Sequence, residues 1–178
     1  MIAGVILAIM MVVQPTYAAT KHFNIVVTIS EFSMELLTSD GMNIYNEWPI
    51  TIPPGAAITM TAEQAVMVSL TGEVPENVDI KTHISNMDGW QAVMPDHELT
   101  DNEFVLEVAT IHNPADLPTL ANANFVAITD ATEAPAGDIL NTGGLPAAAW
   151  LIYKFKAGPH YDQPNAGLEV KIEVLGNP

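Results

Sequence analysis

The chain has 178 residues, with 5 basic side chains against 21 carboxylates and a formal net charge of −16. A surface of that sign repels phosphate backbones and anionic headgroups, which excludes nucleic acid and anionic membranes as principal partners and favours cations. Charged residues are only 15% of the chain and hydrophobic ones 49%, so an acidic disordered tail is excluded as well.

Residues 1–18 combine an apolar run, 2–13, with Gln14-Pro15 and the small-x-small triplet Thr16-Tyr17-Ala18. That is the layout of a secretory signal peptide and its processing site. The run is well short of the roughly 20 apolar residues that cross a bilayer as a helix. A retained apolar arm is the other reading. With the signal removed, no membrane span is expected and the protein is exported to the cell surface or medium. Cysteine is absent, so the exported domain is held by its core, by bound ions or by neighbours. No Asn-x-Ser/Thr triplet offers a glycosylation site.

From residue 19 onward, apolar and polar residues alternate with period two, the signature of strands with one face in a core. Phe23, Ile25, Val27 and Ile29 form the first such series, and Val78, Ile80, Thr82 and Ile84 the next. Phe104, Leu106 and Val108 follow, and Leu168, Val170, Ile172 and Val174 close the chain. Further strands are expected over 43–52, 57–61, 66–71, 125–129 and 148–156. Turn signals separate them, among them Ser39-Asp40-Gly41, Pro53-Pro54-Gly55, Asp88-Gly89 and Gly158-Pro159. Residues 96–101 read as a polar loop with room for one helical turn. Residues 131–147, rich in Ala, Pro and Gly, read as a long loop between core strands. The expected fold is all-β: one antiparallel, immunoglobulin-like sandwich of Greek-key or jelly-roll type over residues 19–178.

Three stretches carry a resemblance. They are Ile50-Thr51-Ile52-Pro53-Pro54-Gly55, the strand–turn–strand–Trp pattern of residues 66–90, and the closing strands at 149–155 and 168–175. Together they resemble secreted bacterial immunoglobulin-like surface proteins of the fibre-forming TasA and camelysin type. The resemblance implies a surface or filament subunit and carries over neither a catalytic nor a metal signature.

The chemistry-bearing residues agree with that emphasis. No nucleophile motif, metal-spaced histidine pair or phosphate loop is found among His22, His83, His97, His112, His160 and the glycines. Asp96, Glu98, Asp101 and Glu103 fall close together, a density of oxygen ligands that suits calcium, although the spacing is not that of an EF-hand. A solvated acidic loop is the competing reading. Trp48, Trp90, Trp150, Tyr45, Tyr153 and Tyr161 supply either core or a sugar-binding face. Alternation puts Trp150 and Ile152 opposite Leu151 and Tyr153, an apolar patch for the long loop or a second subunit to cover.

Assembly is the leading expectation. An N-terminal strand that starts soon after the cleavage site can complete a neighbour's sheet, with Phe23, Ile25, Val27 and Ile29 setting the register; the competing reading is that it is the ordinary first strand of its own sandwich. The partners expected are therefore copies of the same chain, with cations relieving repulsion between them. No cofactor is needed, calcium being the one candidate. A monomeric carbohydrate- or calcium-binding adhesion module is the alternative, and a hydrolase ranks third.

Overall fold

The computed structural model describes residues 19–28, 33–72, 77–86, 89–120, 123–129, 134–140, 147–159 and 169–177. Residues 1–18, expected to be a signal segment, lie outside the described residues, as do Ile29 and Tyr161. Twelve strands follow in order. They are β1 (Ala19–Thr28), β2 (Ser33–Leu37), β3 (Ile50–Ile52), β4 (Ala57–Thr59), β5 (Val66–Thr71) and β6 (Asn77–Asn86). The rest are β7 (Gln91–Ala92), β8 (Glu103–Ile111), β9 (Val126–Ala127), β10 (Ala134–Leu140), β11 (Ala147–Ala157) and β12 (Glu169–Asn177). Short 3-10 turns at Ala62–Gln64 and Pro114–Thr119 are the only helical elements among the described residues. The chain is all-β.

One sheet has the order β10-β6-β12-β1-β3; the other runs β2-β5-β11-β8-β7, with β4 added to β11 and β9 to β8. Pairing is antiparallel except for β1 beside β12 and β7 beside β8. A single cluster of buried side chains draws on both sheets, with Val78, Ile80 and Ile84 from one and Leu106, Leu151 and Tyr153 from the other. Each fully buried Leu, Ile or Phe contributes roughly 1.5–3 kcal/mol of transfer free energy.

Strand β6 behaves as its alternation dictates, with Val78, Ile80, Thr82 and Ile84 buried and Asp79 exposed. The centre of the larger sheet does not. Strand β11 pairs with β5, β4 and β8, and its run Ala-Ala-Ala-Trp-Leu-Ile-Tyr-Lys-Phe-Lys-Ala is apolar at consecutive positions. Along its middle both faces are covered, while Lys156 near its end is exposed. Leu151, Tyr153 and Phe155 are fully buried on one face, and so is Ile152 on the other. Phe104 and Phe155 stack on the first face with ring centroids 5.5 Å apart.

Several boundaries differ from those expected. The span 43–52 is strand only at Ile50–Ile52, with bridge residues at Ile44 and Glu47. Strand β2 carries the short pattern Met34, Leu36 buried between exposed Ser33 and Glu35, which is too brief to stand out in sequence. Residues 131–147 are not a plain loop, since they contain β10, paired antiparallel with β6. Pro135 and Gly137 masked it: both are tolerated because β10 lies at a sheet edge and its register shifts between them. Residues 96–101 form turns and bends without a helix.

Candidate functional site

The N-terminal strand is built into the smaller sheet. Residues Ala19, Thr20 and Lys21 pair antiparallel with β3, and His22 to Thr28 pair parallel with β12. Phe23 sits opposite Val170, Ile25 opposite Ile172 and Val27 opposite Val174. In this chain β1 therefore serves as a strand of its own fold, with main-chain bonds to the last strand. Its pairing changes partner between Lys21 and His22.

Trp150 and Ile152 are placed differently from expectation. They do share a face, but it is not an exposed patch. Register puts Ile44, Leu37, Met67, Trp150 and Ile111 in one row across the larger sheet. The loop between Leu37 and Ile44 folds over that row. The Trp150 indole Nε1 donates to the Ser39 carbonyl at 2.9 Å, and Ser39 Oγ donates to the Glu63 carbonyl at 3.1 Å. Ile152 is 0% exposed. Along the same face Lys154 Nζ lies 2.7 Å from Glu107 Oε2 and 5.6 Å from the Phe125 ring centroid. The covering was hidden from sequence because it comes from residues more than a hundred positions away.

That loop is a hydrogen-bonded hairpin end. Asp40 accepts from Thr38 Oγ1 at 2.5 Å and from the Met42 amide at 3.0 Å. These two bonds, the Thr38 hydroxyl first, hold the Asp40 carboxyl below its usual range. Gly41 takes a positive φ of 73°, and a Cβ there would stand 3.1 Å from Met67 Sδ. The tip then projects Met42 and Ile44, 79% and 72% exposed.

The acidic loop is pinned in a parallel fashion. Glu103 Oε2 accepts from the Thr100 amide at 2.7 Å and faces His97 Nε2 at 3.3 Å. The Thr100 amide is the main reason the Glu103 carboxyl lies below its usual range, with His97 adding to it. Asp96, His97 and Glu103 line an open cavity of about 450 Å³ with Gln91, Met94 and Thr129. Glu98 and Asp101 are not among its walls. Among the described residues no three His, Cys, Asp or Glu side chains come together as a metal-binding group. The four carboxylates expected for calcium are thus split, with Glu103 engaged by its own loop.

Among the described residues the aromatics do not line one groove. Trp48, Tyr153 and Tyr45 are buried, and Trp90 and Trp150 are partly buried against the core. Burial raises the phenol pKa of both Tyr153 and Tyr45. Among the described residues no helix is long and apolar enough to cross a membrane. No protein-family model and no curated protein sequence matches this chain.

Proposed function

We propose that this chain is a secreted, non-enzymatic structural protein, an immunoglobulin-like β-sandwich that builds a surface filament or layer through strand exchange. The position of β1 carries the reading. It is the first strand of the domain, it lies parallel to the last one, and its bonds to β12 are main-chain bonds that any copy can supply. Exchange of such a strand head to tail propagates an open polymer unless the rotation closes.

Outside the short stretch at Ile44 beside β2, the edges of the described sheets are blunted against plain edge-on stacking. Strands β3 and β7 are very short, β10 carries a proline and a register shift, and β2 presents Glu35. Sequence supports the same reading through the signal-like segment 1–18 and the resemblance to TasA- and camelysin-type surface proteins. Divalent cations reduce repulsion between subunits of formal charge −16.

Negative-stain electron microscopy of residues 19–178 with millimolar calcium tests the proposal. Regular fibres or sheets are the expected result, lost when β1 is supplied in excess as a competing peptide. Dispersed monomers at every protein concentration would sink it. A monomeric adhesion module is the competing reading, and its support is the cavity beside Asp96, His97 and Glu103. Monomers that bind calcium or a glycan there would favour it.

A further inference from the structure

The row Ile44–Leu37–Met67–Trp150–Ile111 ends at an open edge of the larger sheet. Thr38 donates its amide to the Asn43 carbonyl at 2.8 Å, and Tyr45 donates its amide to the Leu36 carbonyl at 2.8 Å. Leu37 and Ile44 between them form a non-hydrogen-bonded antiparallel pair. That geometry turns the N–H and C=O of Ile44 away from β2. No hydrogen bond to the Ile44 main chain is found among the described residues. The side chain at this position is also 72% exposed, and Met42 beside it is 79% exposed. An unpaired donor and acceptor flanked by exposed apolar groups is a template for another strand.

The charge pattern selects the occupant. Residues 41–46, Gly-Met-Asn-Ile-Tyr-Asn, carry no charge in a chain with 21 carboxylates, and Asp40 and Glu47 bound them. A basic partner would be drawn to the acidic surface elsewhere and gains nothing from this stretch. A second copy meets it with the same neutral stretch, so that carboxylates are not driven together at the centre of the contact.

We infer that the Ile44 edge is a two-fold contact between copies of this chain, distinct from β1. The inference rests on the self-assembly reading above and names a second surface for it. Two copies lie antiparallel with Ile44 opposite its symmetry mate, exchange two main-chain hydrogen bonds and join their larger sheets through one continuous apolar row. The contact is isologous and therefore closes at a dimer. It involves few residues per copy and lies below the roughly 1,200 Å² of a standard interface, so the dimer is weak.

Sedimentation velocity of the full chain from roughly 10 μM to roughly 1 mM brackets the affinity of so small an interface. Calcium is omitted to keep filaments from forming. The expected result is a monomer–dimer shift that Ile44→Lys abolishes and Met94→Lys, at an exposed apolar site elsewhere, leaves intact. Amide exchange at Ile44 should slow with concentration in the wild type and not in Ile44→Lys. A wild type that stays monomeric throughout, or an Ile44→Lys variant that dimerises as well as wild type, overturns the inference. Fibres from a chain that does not dimerise leave strand exchange standing and remove only this edge. A dimer sensitive to Ile44→Lys in a chain that never forms fibres does the reverse.

Discussion

Two loops of the larger sheet use the same device and end in opposite surfaces. In residues 38–43 a carboxylate, Asp40, accepts the amide of Met42; in residues 94–103 another, Glu103, accepts the amide of Thr100. Each loop also closes against a glycine contact. The first places its own Gly41 over the Met67 side chain, whereas the second presses the Thr100 carbonyl onto Gly158 at the end of β11. The first loop projects Met42 and Ile44, the second Asp96, Glu98 and Asp101. Capping fixes a loop's shape, then, and says little about its purpose, which depends on what the tip carries.

The glycines separate the two loops most sharply. A Cβ at Gly158 would clash with the backbone carbonyl of Thr100 and stand 2.8 Å from that of Glu103, neither of which can swing aside. Gly158→Ala should cost about 2–4 kcal/mol in denaturant unfolding. Gly41→Ala meets only the flexible end of Met67 but keeps a left-handed backbone, at about 1–2 kcal/mol. The reverse ranking would show that the acidic loop is the looser of the two. Trp150→Phe removes the indole donor from Ser39 and should cost about 1 kcal/mol while quickening amide exchange across 38–44. No change in that exchange would mean the loop does not depend on the tryptophan.

Acid should loosen both loops in a similar way. Asp40 and Glu103 have carboxyl pKa values held down in the folded chain. Such groups contribute stability that is present above their ordinary values, about 4, and is lost as pH falls through the lower folded values. Asp40 is exposed and Glu103 partly buried, its side chain 13% exposed, and both titrations are best read from chemical shifts of the Met42 and Thr100 amides. A midpoint at an ordinary carboxylate value in either titration would break the parallel. Ile44→Lys, at the opposite extreme, should leave the unfolding midpoint within about 0.5 kcal/mol of wild type.

Much of the fold was legible because alternation survives wherever one face of a strand meets water, as in β6. It failed where both faces are covered. Trp150 and Ile152 were assigned to their face correctly, but nothing in the local pattern told of the loop over Trp150, since Ser39 lies 111 residues away. Glu107 was misleading for a related reason: it reads as a solvent position, yet it is 8% exposed and paired with Lys154. Strand β10 was missed because proline and glycine argue against strands except at an edge, and edges are a property of the assembled sheet. Ser39-Asp40-Gly41 announced a turn, but the open edge at Ile44 became visible only once the hydrogen bonds of its neighbours were known.

The parallel pairing of β1 with β12 also has a mechanical meaning. Ala19 starts one strand and Asn177 ends the other, at opposite ends of the pair and roughly 36 Å apart at 3.3 Å per residue. Tension applied through those two residues draws the strands past each other along their length. Every bond from the His22–Glu169 pair to the Thr28–Leu175 pair is loaded together instead of one after another. Pulled from these ends in a single-molecule experiment, the domain should yield in one high-force step, and pulled across the strands it should unzip at much lower force.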